Sequence, residues 1–301
     1  MYESFYGLSG RPFSLLPDAA FLYPSARHKR VISLLEYGSV TQAGIIVISG
    51  EIGAGKTTAI RYYLKGLGQD VAVGLITNTS QSFGSMLQWV VTAFALDDTG
   101  DDVKLYNRFV DFLVAQYAKG KRTVLIMDEA QNLTVPMMED LRMLSNVNND
   151  KDQLLQIVLS GQPSLLNTLK HPDLHQLVQR VAIHCHLTPL SARETANYIR
   201  HRLGVVGGAP ELFDDTACAA VYFFTGGVPR LINLLCDHSL AYAFAEDMEQ
   251  VRFQTVIEVV ADRDSAGLSA FCNKVKGQTE DQLLAQFRGI MNEIRELRES
   301  A

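Results

Sequence analysis

Short apolar runs alternate with segments of helical periodicity over the first two thirds of the chain. Continuous apolar runs of this kind are typical of strands that are buried on both faces of a sheet. They predict strands at 45–50, Val71–Ile76, Thr123–Met127, Leu155–Ser160 and Val181–Leu187. The intervening periodicity predicts helices at Lys56–Leu67, Phe83–Ala95, Val103–Ala118 and Pro136–Val147. Because strands and helices alternate, we expect an α/β fold with a five-stranded parallel sheet between helices.

The pattern changes at Pro189 and Leu190, after which only helical periodicity remains. It predicts helices at Ala192–Leu203, Asp215–Thr225, Pro229–Phe244 and Gln254–Val260. We therefore expect an α/β domain over residues 41–190, followed by a small all-helical domain over residues 191–262.

The two ends of the chain differ from these domains. Residues 1–24 carry irregularly spaced aromatic residues broken by prolines, which predicts an ordered extended segment, and a helix is predicted at Ser25–Gly38. We expect residues 1–40 to pack on the α/β core. The more polar tail, residues 263–301, ends in a predicted helix with an apolar seam at Leu283, Phe287, Ile290, Ile294 and Leu297. Such a seam fits either docking on the chain's own domain or binding of a partner helix.

Composition and charge narrow the class of protein. The 301 residues are 47% hydrophobic and 20% charged, with a formal net charge of -6, which indicates a globular protein and argues against a polybasic nucleic-acid coat. The four cysteines lack the spacing of a zinc site. No secretory signal and no apolar run long enough to span a membrane is evident, so we expect a cytoplasmic protein.

The first predicted strand runs into a glycine-rich loop, and a predicted helix follows the loop. The residues fit the pattern GxxxxGK[ST], in which backbone amides and a lysine hold nucleotide phosphates. Lys56 would contact the β and γ phosphates, and Thr57 would offer a hydroxyl to Mg²⁺. A plain glycine-rich turn could mimic the pattern, but the strand before it and the helix after it favour a phosphate site. The candidate nucleotide-binding residues are Gly50, Glu51, Ile52, Gly53, Ala54, Gly55, Lys56, Thr57 and Thr58.

A second group of candidates lies at the ends of the later strands. The apolar strand TVLIM is followed by Asp128, a candidate Mg²⁺ ligand, and Glu129, a candidate base for the attacking water. Alone, two acids after a strand often mark only the exit of the chain from the core. Ser160 and Gln162 end the next strand, and either could reach the γ phosphate or be an ordinary loop residue.

The motifs MDEAQNL, SGQPSL and GGVPRLINLLCD, with the opening MYESFYGLSGRPFSLLPD and the loop GEIGAGKTT, make the chain resemble AAA+ ATPases. The resemblance is closest to the general secretion pathway protein A (ExeA) type, including members found beside exosortase and exopolysaccharide systems, and covers residues 1–262. It implies ATP and Mg²⁺ as ligands, a helical lid after the core, and Gln162 rather than Ser160 as the sensor residue. It also implies that Arg180 lies in the arginine-finger region and that Arg230 is a lid residue at the nucleotide, although a lone arginine is more often a solvated charge.

An arginine finger acts on the nucleotide of a neighbouring subunit, so the resemblance implies a homo-oligomer, commonly a ring. It further implies a protein partner in an envelope or export machinery, with peripheral association at the inner membrane through that partner. The chain departs from the longer family members, because it has no room for their transmembrane segment and cell-wall-binding domain. Related transposon-encoded ATPases select DNA targets, and the basic residues Lys119, Lys121 and Arg122 keep a DNA-associated ATPase as the alternative function.

Overall fold

The computed structural model describes residues 1–77, 84–147, 153–268, 270–272 and 280–295. It divides into two compact units. The sheet unit comprises Ala26–Ile52 and Lys56–Leu187, and the helical unit comprises Met1–Ser25, Gly53–Gly55 and Thr188–Ala301. Within the described residues, no helix combines the length and the apolar character that crossing a membrane requires.

The sheet has five parallel strands in the order β2-β3-β4-β1-β5. The strands are β1 (Ile45–Gly50), β2 (Val71–Ile76), β3 (Arg122–Met127), β4 (Gln156–Gly161) and β5 (Val181–Leu187). The helices are α1 (Tyr2–Phe5), α2 (Ala26–Val40), α3 (Lys56–Gly66), α4 (Met86–Ala93), α5 (Asp102–Ala118), α6 (Val135–Leu144), α7 (Ser164–Leu169), α8 (His175–Val178), α9 (Ala192–Val205), α10 (Asp215–Thr225), α11 (Pro229–Ala245), α12 (Phe253–Ser265) and α13 (Glu280–Arg295).

The predicted α/β sheet is confirmed, and its order brings several candidate site residues to one edge. Every residue of β1 and β4 is buried, as expected for strands with neighbours on both edges and helices on both faces. Because all strands run in one direction, the residues that follow β1, β3 and β4 meet at one edge of the sheet. Ligands of open parallel sheets bind at this carboxyl edge.

The aromatic N-terminal segment belongs to the core of the helical unit. Tyr2, Leu8 and Phe13 are buried in the same apolar cluster as the residues of α9 to α12. Arg202 on α9 lies 4.6 Å from the centre of the Phe21 ring, and its guanidinium donates to the Ser14 carbonyl oxygen at 3.4 Å. The first 25 residues belong to the helical unit, and the expectation that residues 1–40 pack on the α/β core stays a prediction. Irregular aromatic spacing indicates burial but does not specify the surface that the aromatics cover.

The tail helix α13 also packs in the helical unit. Phe287 and Ile294 are buried in the same apolar cluster, and the Phe287 ring lies 4.9 Å from the Phe223 ring and 5.1 Å from the Phe253 ring. Of the two alternatives for the apolar seam, docking on the chain's own helices is therefore the one that the structure shows. The side chain of Leu283 and the whole of Leu297 lie outside the described residues.

Candidate functional site

The loop between β1 and α3 contains the glycine-rich motif. Gly50 ends β1 against β5, where a Cβ atom would lie 2.6 Å from the Leu187 carbonyl oxygen. Gly53 and Gly55 have φ angles of 79° and 99°, in the region where glycine is free of steric strain. Glu51 and Ile52 are exposed on the loop and Ala54 is buried. The loop ends at Lys56, the first residue of α3, with the N-terminal amides of α3 at the loop and Thr57 and Thr58 in its first turn.

Lys56 is buried by the loop that precedes it. Its side chain is 5% exposed, and Nζ donates to the carbonyl oxygens of Gly50 at 2.8 Å and Glu51 at 3.0 Å. Burial lowers the pKa of the ammonium group, and the carboxylates of Glu129, Asp128 and Glu51 oppose this shift. An ammonium held by two carbonyl oxygens is a concentrated positive charge at the carboxyl edge of the sheet.

Asp128 connects three elements at this edge. Its Oδ2 accepts from the Thr57 hydroxyl at 2.6 Å, and its Oδ1 accepts from the Ser160 hydroxyl at 2.8 Å. The carboxylate is almost fully buried, with 4% exposure. The structure therefore brings together α3, the end of β3 and the end of β4 around one carboxylate. The carboxylate and hydroxyl oxygens of Asp128 and Thr57 are hard oxygen donors of the kind that Mg²⁺ prefers, so these residues fit that ion.

Glu129 has a backbone conformation that its residue type disfavours. Its φ and ψ angles are 55° and 35°, which is the left-handed region. Non-glycine residues in this region cost on the order of 1 kcal/mol or more, and they concentrate at functional sites. The Glu129 carboxylate accepts from Nε2 of Gln131 at 2.7 Å. The sequence contained Gln131 in the motif MDEAQ, but nothing in the pattern gave its side chain a partner.

The described hydrogen bonds of Gln162 and of the two candidate arginines go to groups other than the Asp128 carboxylate. The backbone N–H of Gln162 donates to Oε1 of Gln131 at 2.9 Å. Arg180, just before β5, donates from Nη1 to the Ser145 carbonyl oxygen at 3.1 Å. Arg230 is the second residue of α11, and its backbone N–H donates to the Gly53 carbonyl oxygen at 3.2 Å within the helical unit. The choice between Ser160 and Gln162 as sensor, and the roles of both arginines, stay predictions.

Of the basic residues near the start of β3, Arg122 is paired with groups of its own chain. Arg122 forms an ion pair with Asp70 at 3.0 Å and also donates to the Ser39 carbonyl oxygen at 3.0 Å. A guanidinium that is held by a carboxylate of its own chain has less charge to offer to a phosphate backbone.

Comparisons with known proteins show which proteins this chain is similar to. Residues 40–169 match the family model described as "AAA domain". The chain is 40% identical over 253 residues to general secretion pathway protein A of Aeromonas hydrophila, and the match covers 83% of the chain. It covers 46% of the relative, so the chain spans about half of the length of that protein.

Solved structures share the fold at low sequence identity. The ORC2 protein of Aeropyrum pernix, solved in ADPNP-ADP complexes, matches with a TM-score of 0.61 and 13% identity over 81% of the chain and 71% of that protein. The ORC1 protein of Aeropyrum pernix, solved in complex with DNA, matches with a TM-score of 0.60 and 18% identity over 85% of the chain and 71% of that protein. At these identities the matches show a common fold.

Proposed function

We propose, from the premise that the chain belongs to the AAA+ ATPases, that it binds ATP at the carboxyl edge of the sheet and hydrolyses it to ADP and phosphate. The observation that carries this proposal is the constellation around Asp128. Thr57, Asp128 and Ser160 come from three separate elements and are joined by hydrogen bonds of 2.6 and 2.8 Å. Lys56 precedes Thr57 at the start of α3.

The mechanism assigns a separate task to each of these residues. The ammonium of Lys56 exchanges its two carbonyl partners for phosphate oxygens and offsets their charge. Thr57 and Asp128 would hold Mg²⁺, which neutralises charge on the phosphates when it is bound. Glu129 orients the attacking water and accepts its proton, while Ser160 or Gln162 contacts the transferred phosphoryl group. The N-terminal amides of α3 add favourable dipoles for the anion.

A nucleotide titration tests the binding half of this proposal. We expect a non-hydrolysable ATP analogue to bind saturably, and binding to tighten when Mg²⁺ is added, because Asp128 and Thr57 favour the metal-bound nucleotide. Isothermal titration calorimetry with and without Mg²⁺ measures both effects. Absence of saturable binding under both conditions would contradict the proposed function.

We propose further that the active site is completed by Arg180 of a neighbouring copy. The AAA+ membership supports this arrangement, as does the lack of any contact between Arg180 and the residues around Asp128 among the described hydrogen bonds. A neighbour's guanidinium would stabilise charge on the transferred phosphoryl group. The site would then be active only in an oligomer.

We expect Arg180→Ala to lower ATP turnover by roughly 10³-fold with little change in ATP affinity, since arginine fingers act in the transition state. Mixing it with Lys56→Met should restore part of the activity, because the first variant supplies a binding site and the second supplies an arginine. Phosphate release at a series of mixing ratios measures the recovery. Arg252→Ala, at an exposed position of the helical unit, is the matched control and should retain the parent rate. No recovery at any ratio would contradict an arginine that acts between subunits.

For the biological role, we propose an ATPase that drives or regulates assembly of a secretion, envelope or export system. The 40% identity to general secretion pathway protein A supports this role. Affinity capture with Glu129→Gln held in ATP should retain envelope or export proteins that are lost in ADP. ATPase activity stimulated by duplex DNA at low salt, with no such captured protein, would instead favour a DNA-associated ATPase.

A further inference from the structure

Gln131 links the two halves of the carboxyl edge of the sheet. It lies in a short 3₁₀ helix, Ala130–Asn132, directly after the acid pair. Its Nε2 donates to the Glu129 carboxylate at 2.7 Å, and its Oε1 accepts the backbone N–H of Gln162 at 2.9 Å. One side-chain amide therefore connects the residue after Asp128 to the first residue after β4.

The surroundings leave this amide little freedom. A Cβ atom on Gly161 would lie 2.9 Å from Oε1 of Gln131 and 3.1 Å from its backbone nitrogen, so the two segments are in close contact. Both hydrogen-bonding ends of the amide are used, and the two bonds require opposite groups, a donor on one side and an acceptor on the other. The amide can satisfy both partners only in one orientation.

The side chain of Glu129 must be held in one orientation if its carboxylate is to direct water. Its left-handed backbone sets an unusual starting direction for a side chain with three rotatable bonds. A carboxylate that orients water loses efficiency steeply when it is displaced, because the reacting atoms must be held near their reactive geometry. The hydrogen bond from Gln131 fixes one oxygen of this carboxylate.

We propose that Gln131 is the positioning residue that holds the Glu129 carboxylate and couples it to the segment Ser160–Gln162. A shift of this segment on contact with the γ phosphate then moves the amide and, through it, the carboxylate. The inference rests on the proposed function, since it assigns the positioning of the base in ATP hydrolysis. It assigns no contact between Gln131 and the substrate.

Two substitutions separate positioning from packing. Gln131→Met keeps the length of the side chain and removes both hydrogen bonds. Gln131→Glu is nearly isosteric and keeps an acceptor for the Gln162 N–H, but it replaces the donor that faces Glu129 with a second carboxylate. For both variants we expect the turnover number to fall by about 10- to 100-fold, with KM for ATP within about two-fold of the parent and little change in melting temperature.

The matched control is Gln176→Met, which makes the same change at an exposed position of α8 in the sheet unit. Steady-state phosphate release and thermal melting are measured for the parent, the control and both variants. A near-parent turnover number for Gln131→Glu, a raised turnover number, or a loss that comes only with raised KM and lower melting temperature would overturn the positioning role. Failure of the parent itself to hydrolyse ATP would count against the proposed function, whereas an active parent with unaffected variants would count against Gln131 alone.

Discussion

Glu129→Gln is expected to bind ATP as the parent does and to turn it over roughly 10²- to 10⁴-fold more slowly, the range that general-base catalysis contributes. The substitution replaces one carboxylate oxygen with an amide nitrogen and changes the volume of the side chain very little. The remaining oxygen can still accept from Nε2 of Gln131, as the carboxylate does at 2.7 Å. What is lost is the negative charge and the capacity to take a proton from water.

Two measurements on Glu129→Gln separate chemistry from binding. Equilibrium binding of a fluorescent ATP analogue should stay within about two-fold of the parent, because an interaction made only in the transition state does not alter ground-state affinity. Phosphate release should fall. Glu36→Gln, the same change at an exposed position of α2, is the control and should leave both quantities unchanged. A parent-like rate of phosphate release by Glu129→Gln would assign the base to another residue.

Lys56→Met is expected to weaken ATP binding by about 100-fold or more, because hydrogen bonds to charged groups contribute about 1.5–3 kcal/mol each. The residue is 5% exposed in the structure, and its ammonium is held by two carbonyl oxygens of the loop. The same ammonium therefore lies directly against the glycine-rich loop. Removal of this ammonium should therefore lower the affinity for ATP and not only the rate of ATP turnover.

The free energy of unfolding of Lys56→Met without nucleotide should change little, in contrast to its affinity for ATP. Burial lowers the pKa of the ammonium, which means that the folded protein disfavours the charged form. Methionine fills a similar volume without charge, so the free energy of unfolding should stay within about 1 kcal/mol of the parent. Lys65→Met, at an exposed position of the same helix, is the control for both measurements. Loss of ATP binding together with a large loss of stability would indicate a structural role for Lys56 instead.

The sequence predicted the long elements of the fold because their periodicity is local information. The bounds of β2, β5 and α10 agree with the prediction to the residue. The short helices α1, α7 and α8, of four, six and four residues, were missed, because so few residues do not complete a recognisable helical pattern. The sequence could not assign residues 1–25 to the helical unit, since aromatic side chains indicate burial without specifying which surface buries them.

The site shows the same division between local and tertiary information. Lys56, Thr57, Asp128 and Ser160 were identified from motifs, and the structure joins the side chains of Thr57, Asp128 and Ser160 by hydrogen bonds while Lys56 binds loop carbonyl oxygens. The left-handed conformation of Glu129 could not be predicted, because only glycine and asparagine commonly signal it in a sequence. The bond from Gln162 to Gln131 joins residues 31 positions apart, and no spacing rule relates them.

The most direct test of the account is the rate of ATP hydrolysis by the parent as a function of its own concentration, in the presence of Mg²⁺. We predict that phosphate is released, that the rate per protomer rises with protein concentration as Arg180 from a neighbouring copy completes the site, and that Glu129→Gln at equal nucleotide occupancy releases almost none. Intact ATP after prolonged incubation with nucleotide-saturated parent protein, at every concentration, would contradict an ATPase at the carboxyl edge of this sheet.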